Sequence, residues 1–201
     1  MTRVALLRIS CILNSRQIEA PSPDLVAFPE GIDWPEIEKA CARCPDAMIV
    51  GAVVEERRSR GVLWHRGQNR IEYVKVGTDG RTTGSGNVDQ NPVYECGNAC
   101  IGVLICMDLE VNFGAFPRTV VERVKASRSP LKIVCIPADM GGHWFHGPIL
   151  SSRQFDGLHV VLCNHTKTHQ SRCKSFITDT AGAKIAMQDS DEPIHAELPV
   201  K

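Results

Sequence analysis

The chain contains 201 residues, of which 43% are hydrophobic, and its 23 basic residues balance 23 acidic ones. A chain of this length can bury one sizeable core, so we expect a single domain spanning residues 1–201. The balanced charge gives no general attraction to nucleic acid or to an anionic membrane. No segment approaches the roughly 20 apolar residues that a membrane-spanning helix needs.

The number of cysteines and the first residues of the chain indicate the cellular compartment of the protein. Nine cysteines is an odd number, and several lie within apolar runs, which favours reduced thiols over a disulfide framework. The opening stretch "MTRVALLRISCILN" is interrupted at Arg8 and Ser10 before an apolar signal core develops. We therefore expect a cytoplasmic protein.

Apolar runs bounded by turn residues predict most of the strands, and amphipathic stretches predict three helices. The first helix has Asp33 as an N-cap, Pro35 in its first turn and Glu36 at the third position. In chain order the predicted elements are a strand at 3–9, a strand at 24–30, a helix at about 34–43, strands at 47–56, 61–67, 70–78 and 100–106, a helix at 119–127, a strand at 131–138, a helix at 147–157, and strands at 159–164, 174–180 and 183–188.

The order of these elements indicates the fold class. Strands occur both as adjacent pairs and in alternation with helices, which predicts a layered α/β domain with at least one mixed sheet. Only a short helix fits between the first two strands. Residues 77–92 are rich in Gly, Thr, Asn and Asp, and loops of that length are usually mobile or functional.

Three polar residues stand at or just beyond the ends of predicted strands: Glu30, Lys75 and Cys106. Each alone is more simply a turn residue, a solvent-facing lysine or a buried thiol. Together they supply a base, a cation and a nucleophile, and strand ends in layered α/β folds converge on common crevices. A free thiol, with a pKa of about 8.5, needs such a base or cation to react efficiently at neutral pH.

The wording around these residues resembles the nitrilase, or carbon-nitrogen hydrolase, superfamily, and the resemblance runs nearly end to end. The segments that carry it are "VALLRI" for the opening strand, "DLVAFPEG" for the glutamate, "YVKV" for the lysine, "IGVLICMDLE" for the nucleophile, "IPADMGGHWFHGPILSSRQFDGLHVVLCNHT" for the stretch after it, and "CKSFITDTAGAKIA" for a late hairpin.

The resemblance implies a four-layer α-β-β-α sandwich that cleaves nonpeptide carbon-nitrogen bonds through a Cys thioester. It assigns Glu30 as general base, Lys75 as the cation beside the oxyanion and Cys106 as nucleophile. The backbone N–H of Met107, directly after the nucleophile, is the natural second oxyanion donor. The expected substrate is a small-molecule amide, in preference to a nitrile, with no cofactor. It also implies a homodimer or larger homo-oligomer.

The sequence departs from the family pattern in several places. The chain is short, its first helix is reduced, and residues 76–94 hold no glutamate where many members carry a second one. Asp89 is a candidate replacement, and His143 and Trp144 are candidate substrate-pocket residues. These departures affect substrate selection more than the triad.

Other functions remain open at this point. The same triad could transfer the acyl group to an amine, which is N-acyltransferase chemistry, or the chain could be a noncatalytic binding or assembly protein. A zinc site is disfavoured; its ligands would be Cys41, Cys44, Cys96 and Cys100. A metal site at His165 and His169 is disfavoured as well, because no thiol or carboxylate is adjacent to this pair in the sequence.

Overall fold

Two six-stranded β-sheets pack face to face, and one α-helix covers the outer face of each. The computed structural model describes residues 5–76, 90–109, 115–139, 153–165, 174–188 and 192–200. Helix α1 (Trp34–Arg43) packs on the first sheet, and helix α2 (Ala115–Ala126) packs on the second. The expected α-β-β-α sandwich with mixed sheets is confirmed.

The first sheet, sheet A, has the order β12-β1-β2-β3-β4-β5. Its central pairs, β1 with β2 and β2 with β3, are parallel, and the others are antiparallel. Its strands are β1 (Ala5–Cys11), β2 (Leu25–Ile32), β3 (Met48–Glu55), β4 (Arg58–His65), β5 (Gln68–Val74) and β12 (Ile194–Val200).

The second sheet, sheet B, has the order β11-β10-β9-β8-β7-β6. Here too the central pairs, β7 with β8 and β8 with β9, are parallel, and the flanking pairs are antiparallel. Its strands are β6 (Val93–Cys96), β7 (Ala99–Val103), β8 (Leu131–Ala138), β9 (His159–Asn164), β10 (Phe176–Thr178) and β11 (Lys184–Met187).

The main core lies between the sheets, where β2 crosses β8 and β9. Central strands such as β9 are buried along their whole length, as expected for parallel strands covered on both faces. The Cys163 thiol donates to the Ala27 carbonyl at 3.2 Å and so links the two sheets directly. A second apolar cluster fills the space between sheet A and α1, with Ile37 and Ala40 facing the sheet.

Helix α1 begins where the sequence predicts. The Asp33 carboxylate accepts a hydrogen bond from Glu36 N at 2.9 Å, which is the N-cap contact. The Glu36 carboxylate accepts from Ser15 N at 2.7 Å, so it ties the helix to the 3₁₀ turn Ser15–Gln17. That turn is the short helix expected between the first two strands.

Helix α2 presents the predicted apolar face to sheet B. Val120, Val121 and Val124 are buried, and Val120 and Val124 cover β7 at Gly102. A Cβ added at Gly102 would lie 2.8 Å from Val124 Cγ2. The glycine therefore permits the close approach of helix and strand.

Some elements differ from the prediction. Strands β6 and β12 were not predicted, and most of the helix predicted at 147–157 falls outside the described residues, with a 3₁₀ turn at Arg153–Phe155. Residues 77–89 of the predicted loop also lie outside them. No helix in the described ranges has the length and hydropathy of a membrane span.

Candidate active site

Glu30 lies inside β2, two residues before the strand ends, where the sequence places it at the strand end. The pairing of β2 with β3 shifts register on both sides of Glu30, and Gly31 has a φ of +90°. This irregularity alters the direction of the side chains at the end of the strand. Glu30 is only 4% exposed.

Lys75 directly follows β5, and its backbone N–H donates to the Ser59 carbonyl at 2.9 Å. Its Nζ donates to Glu30 Oε1 at 2.8 Å, with the lysine side chain 0% and the glutamate side chain 5% exposed. The structure thus brings together two residues that are 45 positions apart. Burying both charges costs several kcal/mol before their attraction is counted, so such pairs are poor candidates for stabilising devices.

Cys106 begins a 3₁₀ turn, Cys106–Leu109, that follows β7. Cys106 is 4% exposed and has a φ of +28°, a positive value that residues other than glycine rarely adopt. Unusual backbone angles of this kind persist where surrounding contacts hold them, and they cluster at functional sites. Leu104 and Ile105 separate the end of the strand from the turn that the cysteine begins.

A carboxylate that the sequence interpretation did not single out joins the cysteine turn to the lysine. Asp108, 2% exposed, accepts hydrogen bonds from Ile105 N at 3.1 Å and from Val76 N at 2.8 Å. These donors are the neighbours of Cys106 and Lys75. One carboxylate therefore bonds to the backbone next to the cysteine and to the backbone next to the lysine.

Tyr73 completes this connection from β5. Its hydroxyl donates to Asp108 Oδ2 at 2.9 Å, and its ring packs on Phe116 with centroids 5.6 Å apart. Burial, followed by the charge of Asp108, raises the pKa of Tyr73 well above its ordinary value. The hydroxyl is therefore a protonated donor at neutral pH. In the sequence, only the alternation of "IEYVK" and the acid two residues after the cysteine could have indicated this pair.

The remaining predicted site residues have different outcomes. The backbone of Met107 lies in the first turn after Cys106, as its proposed oxyanion role requires, and that role stays a prediction. Asp89, His143 and Trp144 lie outside the described residues. His165 lies next to Gly31, since a Cβ on that glycine would be 3.7 Å from His165 Nε2.

The cysteines of the zinc alternative lie in different layers. Cys44 packs under α1 on the outer side of sheet A, whereas Cys100 lies on β7 of sheet B, in the other apolar cluster. In the part of the chain that the structure describes, no three His, Cys, Asp or Glu side chains are placed to hold a metal ion.

Comparison with known proteins relates the fold to solved structures. No protein-family model matches the sequence, and no curated protein matches it either. Nit3 of Saccharomyces cerevisiae, a member of branch 10 of the nitrilase superfamily, superposes with a TM-score of 0.69 at 14% identity, covering 99% of this chain and 92% of Nit3. A carbon-nitrogen hydrolase from Helicobacter pylori superposes with a TM-score of 0.62 at 12% identity, covering 98% and 90%. The chain therefore has the fold of a nitrilase-superfamily protein over nearly its whole length.

Proposed function

We propose that this protein hydrolyses a nonpeptide carbon-nitrogen bond, an amide in preference to a nitrile, through a thioester on Cys106. The observation that carries the proposal is the buried Lys75–Glu30 ion pair, at 2.8 Å, linked through Asp108 to the turn that holds Cys106. A thiol, a carboxylate and an ammonium group held together in a water-poor site are the components of nucleophilic acyl chemistry.

In the first half of the proposed reaction, the Glu30 carboxylate removes the proton from the Cys106 thiol. The thiolate sulfur attacks the amide carbon, and the electrons of the C=O bond move to oxygen. Lys75 Nζ, which has three donor hydrogens, and the Met107 N–H stabilise this oxyanion. The intermediate collapses as the C–N bond breaks, and the departing nitrogen takes the proton from Glu30.

In the second half, the thioester is hydrolysed. Glu30, again a carboxylate, removes a proton from water, and the oxygen attacks the thioester carbon. Breaking the C–S bond returns the thiolate, which recovers its proton. The products are a carboxylic acid and ammonia or an amine. With an amine in place of water, the same steps transfer the acyl group.

The proposal is tested by intact-mass measurement after incubation with a panel of small amides and nitriles. We expect the Glu30→Gln variant to form an acyl adduct on Cys106 slowly and then to retain it, because the carboxylate serves the first half of the reaction and is also needed to activate the water that removes the thioester. Cys106→Ala should form no adduct and lose a factor of about 10⁴ or more in kcat. Hydrolysis that survives in Cys106→Ala would contradict the proposed nucleophile.

A matched control comes from another buried thiol. Cys135, on β8, is fully buried, and burial raises its pKa. Cys135→Ala should hydrolyse the amide at the parent rate, and iodoacetamide should label Cys106 much faster than Cys135 in the folded protein. Equal labelling of the two thiols would remove the basis for an activated Cys106.

A further inference from the structure

A buried carboxylate next to the proposed catalytic groups has no step in the reaction described above. Asp108 is 2% exposed, and burying an ionisable side chain is costly unless hydrogen bonds satisfy it. Three of its hydrogen bonds come from neutral donors on or just after strands of two different sheets. The placement of those donors indicates its role.

On the cysteine side, Asp108 closes a ring around Cys106. Its Oδ2 accepts from Ile105 N at 3.1 Å, and its own N–H donates to the Ile105 carbonyl at 2.7 Å. Both contacts span the residue whose φ is +28°. This conformation is unfavourable for a residue with a Cβ, so it needs contacts that hold it in place.

On the lysine side, Asp108 accepts hydrogen bonds from two residues close to Lys75 in the chain. Its Oδ1 accepts from Val76 N at 2.8 Å, and its Oδ2 accepts from the Tyr73 hydroxyl at 2.9 Å. These donors lie one residue after Lys75 and two residues before it. A displacement of the carboxylate would therefore move the ammonium group relative to the thiol.

We propose that Asp108 is a positioning residue, whose carboxylate sets the separation of the Cys106 sulfur and the Lys75 ammonium group by binding the backbone beside each. Tyr73 supports it by holding Oδ2 from β5. This inference rests on the proposed function, but a reaction that needs no amide substrate tests it.

The test is the rate at which iodoacetamide alkylates Cys106, measured by peptide mass analysis between pH 5 and 9. The thiolate sulfur attacks the methylene carbon and iodide leaves, so the rate reports the thiolate fraction. The variant is Asp108→Asn, which keeps the shape but has one acceptor oxygen in place of two. Its single acceptor oxygen cannot serve both Ile105 N and Val76 N, which bind different oxygens of Asp108.

The sign of the change separates positioning from a simple charge effect. If Asp108 positions the ammonium group, Asp108→Asn moves that cation from the thiolate, raises the midpoint of the labelling profile, and slows labelling at pH 7 by about tenfold. If only the negative charge mattered, its removal would lower the midpoint and speed labelling. A faster rate, or a profile within twofold of the parent at every pH, would overturn the proposal.

Two further variants keep the test decisive. Asp179 also accepts backbone hydrogen bonds in a turn, from Ala181 and Ala183, so Asp179→Asn controls for the loss of a turn carboxylate and should label at the parent rate. Tyr73→Phe removes one donor and should slow labelling of Cys106 about two- to fivefold. If Asp108→Asn does not fold, an unchanged rate in Tyr73→Phe overturns the proposal. Failure of the parent to react with amides while these rates hold would reject the proposed hydrolase function and leave the positioning role intact.

Discussion

Burying the ion pair of Lys75 and Glu30 costs free energy, because both charged groups lose their contact with water. Their contact of 2.8 Å is excluded from water, so each charge depends on the other for its stabilisation. Removing one charge leaves the other buried without its counter-ion, which costs more than removing both.

We therefore predict that Lys75→Met lowers the free energy of unfolding by about 3–5 kcal/mol. The double variant Lys75→Met, Glu30→Gln should be more stable than Lys75→Met alone, because no charge remains buried. Urea unfolding of the parent, both single variants and the double variant gives the coupling energy. Additive effects would show that the two charges do not depend on each other.

Glu36 allows a prediction about pH on the outer side of sheet A. The Lys39 ammonium, followed by the Ser15 N–H, lowers the pKa of Glu36 to about 2. Because this is below the value of about 4.3 in an unfolded chain, the stabilisation is complete above that pH and is lost as the pH falls towards 2. The carboxylate is partly exposed, which limits its contribution.

Glu36→Gln should therefore cost about 1 kcal/mol of stability at pH 7. The difference from the parent should shrink as the pH is lowered below about 4.3. Thermal unfolding at pH 7, 4 and 3 measures it, with Glu38→Gln on the exposed face of the same helix as control. A difference that grows on acidification would mean that the carboxylate is destabilising in the folded protein.

At the scale of elements, helix α2 packs closely on β7 at Gly102. A Cβ at Gly102 would meet Val124 Cγ2 at 2.8 Å and Val120 Cγ1 at 3.0 Å, and valine side chains have little rotamer freedom to move aside. We predict that Gly102→Ala lowers the free energy of unfolding by about 1–3 kcal/mol.

The same substitution should also reduce reactivity at Cys106, because β7 leads directly into the cysteine turn. Gly97, in the turn between β6 and β7, is the control: an added Cβ there meets nothing within 4 Å, and its φ of +53° is the only obstacle. Gly97→Ala should cost about 1 kcal/mol and leave Cys106 labelling unchanged. Equal effects of the two alanines on labelling would contradict the packing explanation.

The elements that sequence reasoning found are those with continuous burial or a clear cap. Strand β8 and helix α1 were predicted within a residue or two, since one is an unbroken apolar run and the other has Asp33 at its start. Strand β6, with four residues, is too short to form a pattern, and Glu197 and Pro199 obscure the alternation in β12. The irregularity at Glu30 depends on pairing with β3, which one strand's sequence cannot reveal.

In the site, too, sequence reasoning found some residues and missed others that depend on contacts between distant segments. Glu30, Lys75 and Cys106 were chosen from chemistry and from a family resemblance, and their roles stay predictions. Asp108 and Tyr73 were missed because their function depends on hydrogen bonds between sheets, across 35 residues of sequence. The alternation in "IEYVK" and the position of the acid after Cys106 indicate two buried polar residues, but not that they meet.

At the scale of the whole molecule, both sheets repeat one order of pairings: an antiparallel edge, two parallel pairs and two antiparallel pairs. Glu30 lies on β2 of sheet A and Lys75 directly follows β5 of the same sheet, whereas Cys106 follows β7 of sheet B. The site therefore exists only where the two sheets meet.

We also propose that the protein forms a homodimer or a larger homo-oligomer. Among the described residues, four large apolar side chains are more than 40% exposed, and two of them, Ile185 and Met187, lie on edge strand β11. Exposed apolar area of this kind is reduced by association. Sedimentation equilibrium should give a mass of at least two chains at micromolar concentration. A single-chain mass at every concentration would reject the proposal.

The pairing of β12 with β1 has a consequence for the order of events in folding. Ala5 lies opposite Val200, so sheet A is completed by a strand that follows all of sheet B along the chain. Contacts between such distant segments form slowly during folding. A refolding chain should therefore regain helical and strand signals before Cys106 becomes reactive, and the delay between the two measures how long the halves of the sandwich take to dock.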